Sequence, residues 1–273
     1  MPGMDRGPTI MISNTFWHGK SVLVTGGSSG IGREACLAAG AAGARIGIIA
    51  RRQAPLEATQ SQLRATGAIV ETISCDVVDG PALRSAVTVL EDRLGPCDVA
   101  IACAGIHRTS WPLDAEAANT VIDVNVKGSI NFISAVLPGM LARRRGHICG
   151  VASIAAVVGL PGNAAYCASK AALVAFLESL RLDCGPRGVR ISTACPGVVN
   201  TPMVTDAERA TGTLMTAEAA ATTILRAIER GRTEIWFPRR TWLAARLARS
   251  LPTAVRDWIL RSQPRLEQAP PDA

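Results

Sequence analysis

Seven short apolar or β-branched runs punctuate this chain, and alanine-rich amphipathic stretches separate most of them. The runs are Ser21–Val24, Arg45–Ala50, Ile69–Ser74, Asp98–Ala102, His147–Ala152, Val189–Ala194 and Glu234–Phe237. The stretches between them read as helices over about Gly30–Ala42, Leu56–Thr66, Pro81–Leu94, Asn119–Leu137, Tyr166–Leu182 and Ala217–Glu229. Strands separated by one helix must pair in parallel, because a parallel neighbour needs a crossover connection. The runs are continuous rather than alternating, as expected when helices cover both faces of a sheet. The pattern predicts an α/β fold with a doubly wound parallel sheet of Rossmann type, a three-layer sandwich. Residues 17–237 form its single domain, between a flexible leader over 1–16 and a basic amphipathic extension over 238–273.

Composition supports a large core. Of 273 residues, 48% are hydrophobic and 19% charged, which excludes a disordered, collagen-like or coiled-coil chain. The net charge of +7 is concentrated: from Arg226 to Arg265 there are ten arginines and three acids, so the rest of the chain sums to zero. The eight cysteines contain no C-x-x-C pair and read as reduced, buried thiols of a cytoplasmic protein. His18, His107 and His147 are scattered, so no metal site is expected. No signal peptide is expected from the first residues. The uncharged run Ile148–Ser169 is long enough to cross a bilayer, but Gly159, Pro161, Gly162 and Asn163 break it into a buried strand and a loop.

The first strand runs into Thr25-Gly26-Gly27-Ser28-Ser29-Gly30-Ile31-Gly32. Glycines between a strand and a helix allow a tight turn and bring backbone close to a pyrophosphate at the helix N-terminus. Its spacing, T-G-x-x-x-G-x-G, resembles that of the short-chain dehydrogenase/reductase family. Three further segments carry the resemblance. Tyr166 and Lys170 form a Y-x-x-x-K pair with Ser153 13 residues upstream; Pro196-Gly197-Val198-Val199-Asn200-Thr201 is similar to P-G-x-V-x-T; Asn125 matches the family's central-helix asparagine. The resemblance covers about residues 19–237.

The chemistry also follows from the residues. Tyr166 and Lys170, four apart, share one helix face. A nearby ammonium stabilises a phenolate and brings tyrosine, ordinarily near 10, toward the range useful for acid–base work. Ser153 can donate to a carbonyl or alkoxide oxygen. The resemblance implies hydride transfer between a nicotinamide and an alcohol or ketone carbon. It makes Tyr166 the proton donor or acceptor and places Lys170 on the nicotinamide ribose. Ser153 then orients the substrate oxygen, and Asn125 supports Lys170 through a water-linked path.

The second strand ends Ala50-Arg51-Arg52-Gln53, with no acid to hold the adenosine ribose hydroxyls. Two guanidiniums there suit a 2′-phosphate, so NADP(H) is expected over NAD(H), with Arg51 the principal contact. Asp76-Val77 resembles the family's adenine-contacting pair. Ala102-Cys103-Ala104-Gly105 departs from the usual N-N-A-G: Ala104 and Gly105 still let the backbone approach the cofactor, but the bracing asparagines are gone.

A mobile lid is expected over Pro202–Thr216, with Ile106, Trp111, Ile154 and Leu160 as a second wall, which suits an apolar or mixed ketone. An acyl-carrier ketoacyl substrate and a steroid or lipid ketone both stay open. The tail mixes Trp242, Leu243, Leu247, Leu251, Trp258, Ile259 and Leu260 with arginines. Two readings fit it: a helix packed on a neighbouring subunit of a homodimer or homotetramer, or an element lying on an anionic membrane. No nucleic-acid module is recognisable. The alternative function is a non-catalytic dinucleotide-binding regulator of the same fold.

Overall fold

The structure is a computed structural model that describes residues 12–109, 111–204 and 214–261. Its strands are β1 (Ser21–Thr25), β2 (Arg45–Ala50), β3 (Val70–Ser74), β4 (Val99–Ala102), β5 (Gly146–Val151), β6 (Val189–Pro196), β7 (Val199–Asn200), β8 (Met215–Thr216) and β9 (Glu234–Phe237). The α-helices are α1 (Asn14–Trp17), α2 (Gly30–Ala41), α3 (Gln53–Ala65), α4 (Gly80–Leu94), α5 (Ala115–Ile122), α6 (Gly128–Ala142), α7 (Ala164–Cys184), α8 (Ala217–Glu229), α9 (Arg239–Ser250) and α10 (Thr253–Arg261).

Seven strands form one parallel sheet in the order β3-β2-β1-β4-β5-β6-β9, as the alternation predicts. Strand period two splits the continuous apolar runs between two cores. Val22, Val24, Ile46 and Ile48 pack on one face with α2 and α8, through Ala35, Cys36, Ile224 and Ile228. Leu23, Ile49 and Ile148 pack on the other with α4, α6 and α7, through Leu83, Leu90, Phe132, Val136, Leu173 and Leu177. The strand order reverses between β1 and β4, which opens a crevice beyond their carboxyl ends.

Several boundaries differ from the expectation. Ser13 caps α1 and its N–H donates to Glu229 Oε1 at 2.7 Å, while Trp17 Nε1 donates to the same oxygen at 2.6 Å. The end of the expected leader is thus fastened to α8. The expected central helix is longer, Ala115 to Ala142, and residues Asp123–Lys127 take π-helical form within it. This helix is long and apolar enough to cross a membrane by length and composition. Its buried residues Val121, Phe132, Ile133, Val136 and Met140 nevertheless belong to the protein's interior. The uncharged run resolves into β5, a 3₁₀ turn at Ile154–Ala156 and the start of α7.

Candidate active site

Every residue singled out for chemistry stands just beyond the carboxyl end of a strand or on a helix facing that end. Gly26 follows β1 with φ +71°, and a Cβ there would stand 2.8 Å from the backbone of Ala104, beyond β4. Only glycine permits that approach, so β1 and β4 close the base of the crevice. Thr25 Oγ1 accepts from the N–H groups of Cys103 and Ala104 at 3.3 and 3.4 Å, which braces the loop where the sequence lacks asparagines. Ser28 is buried, and Ser29 occupies the N-cap of α2 without a side-chain cap bond. No acid occupies the first turn from Gly30 through Ile31 and Gly32, so the helix end is electrostatically suited to phosphate.

Asn125 lies in the π-helical segment and is fully buried. Its Oδ1 accepts from the Ile106 N–H at 2.8 Å, and its Nδ2 donates to the Ile106 carbonyl at 3.0 Å and to Ser169 Oγ at 2.9 Å. Ser169 in turn donates to the Tyr166 carbonyl at 2.7 Å. One side chain thereby ties the loop after Gly105 to the helix that carries Tyr166. A Cβ at Gly105 would lie 3.2 Å from Asn125 Oδ1 and 3.5 Å from Lys170 Nζ, so these groups meet at one point.

Lys170 is buried and donates to the Val151 carbonyl at 3.0 Å. Its Nζ stands 5.7 Å from the centroid of the Tyr166 ring. Burial lowers the amine to about 8, because a low-dielectric surrounding disfavours the charged form. Ser153 follows β5; its Oγ accepts from the Ala155 N–H at 3.1 Å and reaches the Pro196 carbonyl at 3.5 Å. Gly197 donates to the Phe237 carbonyl at 2.7 Å, and Val199 pairs with Met215 in a small second sheet. Thr201, directly beyond it, has its methyl 3.1 Å from the point where a Gly30 Cβ would stand.

Arg51 directly follows β2, exposed, with Nη1 3.6 Å from Asp76 Oδ2 beyond β3. Arg52 is the N-cap of α3 and makes no side-chain cap bond. Asp76 Oδ1 also accepts from the Val78 N–H at 3.0 Å, and the buried Val77 offers its carbonyl to Asn131 Nδ2 at 2.9 Å. Of the expected second wall, Ile154 is buried and Ile106 half-buried, whereas Trp111 and Leu160 are exposed. Most of the expected lid, residues 205–213, lies outside the described residues.

Sequence reasoning overlooked His107. Its ring lies 4.5 Å from that of Tyr166, and its Nε2 shares a 2.5 Å hydrogen bond with Oδ1 of the buried Asn163. The usable signal was its position two residues beyond Gly105. Cys103 packs half-buried against the core, and burial pushes its thiol up to about 11, so it is a neutral packing group.

Residues 20–212 match the short chain dehydrogenase family profile. The chain belongs to the short-chain dehydrogenase/reductase family. It is 37% identical over 244 residues to an uncharacterized oxidoreductase of Myxococcus xanthus, covering 89% of this chain and 96% of that one. It is 35% identical over 180 residues to the 2-(S)-hydroxypropyl-CoM dehydrogenase 3 of Xanthobacter autotrophicus, covering 65% and 71% respectively. A crystal structure of the 3-oxoacyl-[acyl-carrier protein] reductase from Brucella melitensis superposes with a TM-score of 0.76 at 27% identity, covering 86% of this chain and 95% of that one. This short-chain dehydrogenase/reductase is therefore an NAD(P)-dependent oxidoreductase of the alcohol–ketone class.

Proposed function

We propose that the chain is an NADP(H)-dependent oxidoreductase that interconverts a secondary alcohol and an apolar or lipid-like ketone, with Tyr166 as general acid and base. The observation that carries this reading is the buried Lys170 ammonium beside the Tyr166 ring, with Ser153 at the end of the adjacent strand. At neutral pH an amine at about 8 still carries its proton, and its field at the phenol is strong because the site is poorly solvated. That field favours the phenolate, so the Tyr166 Oη can take a proton from an alcohol and return it to a ketone oxygen. Ser153 Oγ donates a hydrogen bond to the same substrate oxygen and steadies its developing charge.

The cradle fits a dinucleotide, because Gly26 leaves room where any side chain would strike Ala104 and the first turn of α2 lacks an acid. When bound, the nicotinamide supplies or accepts the hydride. Gly26, Ser28, Ser29, Gly30, Ile31 and Gly32 would hold the pyrophosphate. Asp76 and Val77 would hold the adenine, and Ala104, Gly105, Pro196, Gly197, Val199 and Thr201 the nicotinamide half. Lys170 and Tyr166 would hold the nicotinamide ribose. Arg52, which makes no side-chain cap bond, and Arg51, exposed and 3.6 Å from Asp76, would hold the 2′-phosphate. We place the working enzyme as a homodimer or homotetramer.

Titration by tryptophan fluorescence tests the cofactor assignment. Wild type is expected to bind NADPH at least tenfold more tightly than NADH, and Arg51→Ala to lose most of that difference. Equal affinity of the wild type for both would overturn the NADP(H) assignment.

A further inference from the structure

After β9 the chain forms α9 and α10, neither of which buries a single residue. The row Trp242, Ala245, Ala248 on α9 faces the body. Each is half-buried, and the Trp242 ring stands 6.1 Å from Trp236 of β9 with the Arg246 guanidinium 5.3 Å from the Trp242 centroid. The opposite row faces water with Leu243 and Leu247, 52% and 61% exposed. Arg239 and Arg240 stand one turn earlier on that same side, because residues three and four apart share a helix face. On α10, Val255 and Trp258 are outward, Trp258 being 74% exposed, with the exposed Arg261 one turn on.

Leucines and a tryptophan held outward on two consecutive helices mark a contact surface. Their surroundings say with what. From Arg239 to Arg261 there are six arginines and one acid, Asp257, a net of +5 out of the chain's +7. That acid is already paired with Arg256 at 3.6 Å. A second copy docked two-fold on this face would bring two surfaces of net +5 together, which is repulsive. A nucleic-acid backbone would satisfy the arginines and leave Leu243, Leu247 and Trp258 without a partner. An anionic bilayer surface satisfies both: apolar side chains enter the acyl boundary, tryptophan sits at headgroup level, and guanidiniums meet lipid phosphate.

We propose that α9 and α10 dock this enzyme on an anionic membrane surface through Leu243, Leu247, Val255 and Trp258 with their flanking arginines. The attachment is close to the catalytic end of the sheet. Trp242 and Arg246 share a groove with Ala156 and Val157, just after Ser153, and Pro238 Cδ stands 3.0 Å from where a Gly197 Cβ would be. Docking therefore brings the site near the bilayer, and the substrate class that fits is an apolar ketone or alcohol dissolved in lipid. Only that substrate class rests on the alcohol–ketone reading; the docking does not.

Flotation of the full-length protein with phosphatidylcholine vesicles, with and without phosphatidylglycerol, tests the docking without cofactor or turnover. Wild type is expected to float with the anionic vesicles and to be released by high salt. Leu243→Glu with Leu247→Glu, and separately Arg239→Gln with Arg240→Gln, are expected to lower partition by about tenfold or more. Wild-type far-ultraviolet circular dichroism and urea midpoints in both variants would show that they fold. Wild type left in the aqueous fraction would overturn the docking, as would equal binding to neutral vesicles. If the leucine variant instead lowers the mass measured by light scattering while wild type does not float, the face is a subunit contact and the proposal is wrong. A failed cofactor titration beside positive flotation would sink the substrate class alone.

Discussion

Tyr166 is the chain's only tyrosine and Lys170 one of three lysines, yet they stand four apart with the buried amine 5.7 Å from the ring centroid. Tyr166→Phe removes the proposed proton-transfer group and leaves the ring packing against His107 intact. Tyr166→Phe is expected to lower kcat by about 10²–10⁴, with cofactor affinity within a fewfold of wild type. A kcat near the wild-type value would remove Tyr166 from the proton path. Lys170 carries a separate stability signature. Its folded value of about 8 lies below the ordinary 10.5. Between those values the folded chain holds fewer protons than the unfolded one, so burial is most costly below pH 8 and relieved as pH rises. At one unit per 1.36 kcal/mol, the lysine costs about 3 kcal/mol at neutral pH. The stability difference between Lys170→Met and wild type is therefore expected to move by about 3 kcal/mol in the wild type's favour from pH 7.5 to pH 10.5 in urea titrations. That Tyr166 and Lys170 meet was legible in their four-residue spacing, whereas Asn125 was reached only through the family resemblance. His107 was not: only the fold brings the loop after β4 against the start of α7, and nothing local marks that contact.

The helix from Ala115 to Ala142 shows how one element serves both core and site. A π-helical turn at Asp123–Lys127 changes the register between its two halves, leaving Asn125 buried among polar partners while Phe132 and Val136 face the core. Asn125 satisfies both backbone groups of Ile106 and bonds Ser169 of α7. Asn125→Ala would take away the partner of both half-buried Ile106 backbone groups and of the buried Ser169 hydroxyl, at a cost of about 2–4 kcal/mol. The expected result is a lower urea midpoint and weaker cofactor binding together, since the loop carrying Ala104 and Gly105 is released. An unchanged midpoint would show that the bracing belongs to Thr25 alone. Strand positions and sheet topology were legible because apolar runs and crossover helices follow from local composition. The π turn was not, because periodicity in the sequence places a helix without revealing one extra residue in a turn. Ile69, expected in a strand, is 60% exposed and precedes β3, since its neighbour Val70 is the first residue to reach the core.

At the scale of the molecule, the cysteines turn an apolar core into a pH-sensitive one. All eight are free thiols, and six of them are buried. From an ordinary value of 9.0, burial pushes Cys103 up to about 11 and Cys195 up to about 12, and it raises Cys36, Cys97 and Cys149 as well. A group whose folded value is raised keeps its proton in the folded state after the unfolded chain has lost it. Stability is thus complete below pH 9 and falls as pH rises above it, each thiol contributing up to about 1.36 kcal/mol per pH unit. Lys170 works in the opposite sense between pH 8 and 10.5, but it is one group against five. Urea midpoints are expected to fall as pH rises from 9 to 11, in reducing and non-reducing buffer alike. A midpoint that holds level over that range would mean that these thiols ionise in place or that water reaches them, and either would contradict the packing of the two cores against the sheet.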